Sequence, residues 1–118
     1  MRENEIVIFH NPRCSKSRAA LALLEAHGID ARVVEYLKTP PTAAELRAVI
    51  AKLGLKPEDL VRRGEEIYKK RYAGKTLTDS QWIDAMVHDP ILIERPIVVK
   101  GNRAVIGRPP ENVRKLLA

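Results

Sequence analysis

The stretch Ile6-Val7-Ile8-Phe9-His10-Asn11-Pro12-Arg13-Cys14-Ser15-Lys16-Ser17-Arg18 carries the single cysteine of a 118-residue chain. Residues 5–9 are β-branched or aromatic at their core and predict a short buried strand. Residues 15–27 predict a helix with leucines at 21, 23 and 24, and Gly28 supplies its stop. Cys14 therefore falls at the helix N-cap, where unpaired backbone N–H groups and the positive end of the helix dipole favour a thiolate and attract anions. Lys16 and Arg18 add positive charge in the first turn and are expected to favour the anion further. A lone cysteine is more often a small buried apolar residue. The polar loop and flanking cations argue instead for a nucleophile.

Outward from this segment, residues 31–36 predict a second strand, so a strand–helix–strand unit with parallel strands opens the chain. A helical stretch follows. Thr42 with Glu45 and Thr78 with Gln81 are capping boxes, Gly54 stops the first of these helices, and Pro90 stops the second. Between them, Pro57 opens a short helix over 57–63 and a further helix covers 65–71. Residues 97–99 and 103–106 then form a hairpin through Gly101-Asn102. Pro109-Pro110 and Glu111 open a last helix with Val113, Leu116 and Leu117 as its apolar stripe.

Length and composition fit one domain, residues 1–118, with a modest core. No apolar run approaches the ~20 residues of a membrane span, and no signal-like segment is expected. One cysteine permits no internal disulfide, and with three histidines it offers no easy four-ligand zinc site. A reducing cytoplasm is the expected location, with no membrane partner. The net charge is +6, concentrated after residue 90, where six Lys/Arg face only Glu94 and Glu111. At 4% aromatic content the chain lacks a stacking platform, so no nucleic-acid partner is expected.

The order β-α-β, helices, β-β-α is an α/β, thioredoxin-like (glutaredoxin-type) layout with a helical insertion. Ser17 stands where the second cysteine of a Cys-x-x-Cys motif would be. In this layout the third strand is entered through a proline facing the cysteine; Pro96 takes that place and is expected to be cis. Arg95 and Arg108 flank the strand pair that should lie beside Cys14, and Arg62 follows the Pro57 helix. Guanidinium groups suit multi-point recognition of an oxyanion.

The motifs His10-Asn11-Pro12-Arg13-Cys14 with Ser17-Arg18, Leu60-Val61-Arg62, residues 90–99 and Ile106-Gly107-Arg108-Pro109 resemble the ArsC family of glutaredoxin-coupled arsenate reductases, and most of all its YfgD-like branch. The resemblance spans residues 6–110. It implies Cys14 as catalytic nucleophile and Arg62, Arg95 and Arg108 as an arginine triad around the oxyanion. It also implies that His10 tunes the thiol and that Ser17 hydrogen-bonds it. Family members that reduce arsenate usually follow the cysteine with Gly-Thr, where this chain has the bulkier and more basic Ser15-Lys16. Reduction of arsenate to arsenite would use glutathione as co-substrate and glutaredoxin as partner, with no metal, no tightly bound cofactor and a monomeric enzyme. Two other readings stand beside it: a glutaredoxin-like thiol oxidoreductase, and an Spx-like regulator binding RNA polymerase through its basic C-terminal third. The phosphatase-type arsenate reductases need Cys-x5-Arg; Arg18 follows Cys14 after three residues, and that type is excluded.

Overall fold

The protein is described here by a computed structural model that covers residues 5–117; the ends of the expected domain, residues 1–4 and 118, lie outside the described residues. Its contacts divide into two compact units, one made of the chain up to Thr39 together with the chain from Arg95 onward, the other of Pro40–Glu94.

The first unit is built on a mixed sheet of four strands, β1 (Ile6–Phe9), β2 (Arg32–Val34), β3 (Ile97–Lys100) and β4 (Arg103–Ile106), in the order β2-β1-β3-β4. β1 pairs parallel with β2 and antiparallel with β3, and β3 pairs antiparallel with β4. Helix α1 (Ser15–Ala26) connects β1 to β2. The register sets Ile8 opposite Val98 and Val98 opposite Val105. With side chains alternating along each strand, Ile6, Ile8 and Val98 meet Ala20 and Leu24 of α1 and Val113 and Leu116 of the C-terminal segment in one buried cluster. Each large aliphatic side chain buried in this way contributes about 1.5–3 kcal/mol.

The β3–β4 turn is the expected hairpin. Gly101 has φ +61°, and among the described residues no non-glycine has positive φ, which matches a turn with glycine at its first central position. The C-terminal segment differs from expectation. Pro110–Leu116 is a 3-10 helix. Val113 and Leu116, three residues apart, eclipse on a three-residue turn, and both are buried in the core cluster. Its last carbonyls are taken by strand side chains: Arg103 donates to Lys115 O and Lys100 Nζ to Leu116 O. The expected strand 31–36 is also shorter, because the chain turns from Glu35 onward and buries Tyr36.

The second unit is helical. Helices α2 (Ala43–Leu53) and α4 (Asp79–His88) both begin with complete capping boxes, at Thr42 and Thr78, and α2 ends at Gly54 with φ +70°. The helix expected over 57–63 is a four-residue 3-10 turn, Pro57–Leu60, which ends where Val61 becomes extended and bridges Ile93. Arg62 N–H donates to Leu92 O at 2.7 Å and Glu94 N–H to Leu60 O at 2.8 Å, so the two short segments pair antiparallel. Helix α3 (Glu66–Arg71) covers the expected 65–71 segment. Tyr68 stacks on Trp82 of α4 with centroids 6.3 Å apart. Pro90 stops α4 but also opens a 3-10 turn, Pro90–Leu92, that the sequence pattern had not suggested. The element order along the chain is the expected thioredoxin-like one, with the helical segment inserted between β2 and β3.

Candidate active site

Cys14 sits at the N-cap of α1 in extended conformation, and its carbonyl accepts the first helical bond from Arg18 N–H at 3.0 Å. The loop before it is held by Asn11. The Asn11 carbonyl accepts from Cys14 N–H, and its Oδ1 accepts from Arg13 N–H, both at 3.0 Å. An Asx turn of this kind spans the gap between β1 and α1. Pattern reading did not single out Asn11; the Asn-Pro dipeptide was the available signal.

The buried face of α1 is Ser17, Ala20 and Leu24 rather than the leucine stripe, with Leu21 and Leu23 packed at its flank. A hydroxyl on a buried face needs partners. Ser17 Oγ accepts from Asn11 N–H at 3.0 Å and lies 2.6 Å from His10 Nδ1. The direction of the Ser17–His10 bond follows the ring's tautomer: Nδ1 accepts from the hydroxyl when the ring proton is on Nε2, and donates to it otherwise. Burial holds His10 below its ordinary pKa; Glu35 opposes that shift and Arg18 reinforces it. Thus the Ser17 hydroxyl, expected at the thiol, is committed to His10 and the loop, and it is the Ser17 backbone N–H that serves Cys14.

Burial by itself would raise the Cys14 pKa. The backbone N–H groups of Ser17 and Lys16, a hydrogen bond from Arg95 and the charge of Arg108 reverse that, and the thiol ends below its ordinary value. Arg108 Nη2 lies 3.4 Å from Cys14 Sγ. The cations expected to do this from sequence were Lys16 and Arg18. Instead, Lys16 contributes through its backbone, its side chain being on the exposed side of the first turn, and Arg18 Nη1 donates to Pro12 O at 2.9 Å.

Arg95 and Arg108 reach the thiol because the strand pair ends beside it. The Arg95-Pro96 peptide bond is cis, as expected, and so is Arg108-Pro109, which was not. Gly107 N–H donates to Pro96 O at 2.8 Å, and a Cβ on Gly107 would stand 2.9 Å from Pro96 Cγ, so glycine is required there for close approach. Arg108 Nε donates to Arg95 O at 2.7 Å, tying the two arginines together. Arg95 is 8% exposed. Arg62, the third expected arginine, belongs to the second unit, where Nε lies 3.6 Å from Glu94 and Nη1 lies 3.8 Å from Glu65. Its Nη1 is buried without a hydrogen-bond partner. Among the described residues no cluster of His, Cys, Asp and Glu suits a metal ion, and no helix is long and apolar enough to cross a membrane.

A nucleophile at a helix N-terminus with two guanidinium groups can bind and attack an oxyanion, and known proteins share the arrangement's scaffold. The arsenate reductase of Neisseria meningitidis serogroup B is 47% identical over 115 residues, covering 96% of this chain and 98% of the relative. YfgD of Escherichia coli (strain K12) is 46% identical over 115 residues, covering 96% and 97% respectively. The solved arsenate reductase from Vibrio cholerae superposes with a TM-score of 0.91 at 46% identity, covering 95% of this chain and 97% of that one. Residues 9–116 match the ArsC family, a span that holds Cys14, both arginines beside it and Arg62, and the chain belongs to that family.

Proposed function

We propose that this chain is an arsenate reductase in which Cys14 is the nucleophile and glutathione supplies the second thiol. One observation carries the reading: the Cys14 thiol faces the N–H groups of Lys16 and Ser17, the Arg95 side chain and the Arg108 guanidinium at once. The donors that favour a thiolate are those a tetrahedral oxyanion takes up. Relatives at 40–47% identity that bear the name arsenate reductase support the same substrate. The family resemblance adds Arg62 as a third cation in this reading; its Nη1 has no hydrogen-bond partner, with Glu65 3.8 Å away.

In the proposed reaction the Cys14 thiolate attacks As(V), a sulfur–arsenic bond forms, and one oxygen leaves as water. With one cysteine, Cys14 has no partner thiol in the chain. Glutathione therefore provides the second sulfur: arsenic takes up two electrons and departs as arsenite, and Cys14 is left in a mixed disulfide with glutathione. The sum is arsenate plus two thiols giving arsenite, one disulfide and water. A glutaredoxin thiolate then attacks the glutathione sulfur and releases Cys14. No step calls for a metal or a tightly bound cofactor, and a reducing cytoplasm suits the thiol chemistry.

The test is arsenate-dependent NADPH consumption with glutathione, glutaredoxin and glutathione reductase. Turnover in the parent and none in Cys14→Ser is the expected result. A parent that reduces glutathione mixed disulfides but leaves arsenate untouched would overturn the choice of substrate.

A further inference from the structure

Arg108 sits in the loop that leaves β4, and four hydrogen bonds hold that loop in place. Gly107 N–H is tied to Pro96 O, and Arg108 Nε to Arg95 O. The other two bonds come from one residue to which neither the sequence motifs nor the family resemblance gives a role. Asn112 Nδ2 donates to Ile106 O at 3.2 Å and to Arg108 O at 3.0 Å, bracketing Gly107 and Arg108 from the first turn of the 3-10 segment. Its backbone N–H donates to Pro109 O at 3.0 Å.

We propose that Asn112 is a positioning residue: its side-chain amide fixes the carbonyls on both sides of Gly107 and so holds the Arg108 guanidinium against Cys14. Asn112 makes no contact with the thiol in this arrangement; it acts through the backbone that carries Arg108. The geometry has a specific requirement. Both partners are carbonyl oxygens, so the position needs a donor of about asparagine's length, and neither an aliphatic nor a carboxylate side chain of the same size can fill it. A carboxylate would face two carbonyl oxygens and push the loop away.

The proposal rests on Arg108 as the cation beside the thiol and is independent of which oxyanion the enzyme reduces. The groups facing Cys14 are the N–H groups of Lys16 and Ser17 from α1, Arg95 from the approach to β3 and Arg108 from the end of β4. Only the last should change when Asn112 is altered. The experiment is the pH profile of Cys14 alkylation by iodoacetamide in the parent, Asn112→Ala, Asn112→Asp, Arg108→Ala and the double variant Asn112→Ala/Arg108→Ala. Arg108→Ala should move the midpoint up by about one pH unit, the size expected for losing a neighbouring opposite charge. Both Asn112 variants should move it up by about half as much, since the cation is loosened and not removed. The double variant should match Arg108→Ala alone, because Asn112 has nothing left to position. A folded Asn112→Asp protein with the parent profile overturns the proposal, and so does an Asn112→Ala effect that persists in full on the Arg108→Ala background. Should Asn112→Ala fail to fold, the uncharged Asn112→Ser and the pair Asn112→Ser/Arg108→Ala give the same decision. Loss of arsenate turnover in the parent would refute the substrate reading and leave this cycle intact.

Discussion

Arg108 and Arg62 are both half-buried arginines at the edge of an extended segment, yet their surroundings differ in kind. Arg108 lies between a backbone carbonyl and the Cys14 sulfur, and the loop that carries it is bonded to Pro96 and Asn112. Arg62 lies between two carboxylates, Glu65 and Glu94, at 3.8 and 3.6 Å, with one nitrogen that reaches no hydrogen-bond acceptor. The first unit thus directs a guanidinium at the Cys14 thiol, while the second holds one in an ion-pair cradle. A cation opposite carboxylates is already neutralised, so its attraction for an incoming anion is reduced; one opposite a thiol gains most when the thiol ionises. Sequence position alone makes the three arginines look equivalent, and the tertiary partners separate them.

The largest test of this contrast is Cys14→Ser. Turnover should disappear, since a serine alkoxide is not available at this pKa and no second thiol exists in the chain. Next comes Arg95→Lys, which keeps the charge and loses the planar fork. Arsenate turnover should fall about a hundredfold, the usual consequence of removing one preorganised donor set. The same change at Arg62 should cost about tenfold, because the carboxylates already share its donors. Equal losses at both positions, measured as kcat/KM, would erase the distinction drawn between the two units.

The thiol itself gives a pH prediction. Its folded pKa lies below the ordinary value, so the thiolate survives to lower pH in the native protein than in the unfolded chain. Alkylation should stay fast below the ~8.5 of a free cysteine. By linkage the ionised thiol favours folding above the unfolded pKa, and that contribution disappears as pH falls through the folded one. An alkylation midpoint at or above that of free cysteine would remove the argument for an activated nucleophile.

Two stability changes sharpen the comparison from the other side. Gly107→Ala would put a methyl 2.9 Å from Pro96 Cγ and 3.3 Å from Ala20 Cβ in the first unit. Overpacking there should destabilise by about 1–3 kcal/mol and disturb the Arg108 loop as well, so melting temperature and thiol reactivity should change together. Thr78→Ala removes one half of a capping box in the second unit. It should cost about 1 kcal/mol in chemical denaturation and leave the Cys14 alkylation profile where it was.

Local signals in the sequence were sufficient for much of this. Thr42, Thr78 and Gly54 mark helix ends through bonds to residues three or four positions away, so their meaning is complete within a short window. The apolar run at Ile6–Phe9 and the Gly101-Asn102 turn are of the same sort, and Cys14 at an N-cap follows from them. What only the tertiary structure decided is which groups meet across long separations. Arg108 stands ninety-four residues from Cys14 and touches it, while Arg18, four residues away, donates to Pro12 O and Lys16, two away, is exposed and acts through its backbone. Ser17 belongs to His10 because β1 ends beside the first turn of α1. The C-terminal segment winds as a 3-10 helix with Val113 and Leu116 buried in the sheet's core cluster. A residue's propensity is a property of its neighbours along the chain, whereas the charge felt by a thiol is set by whatever strand pairing brings within a few ångströms of it.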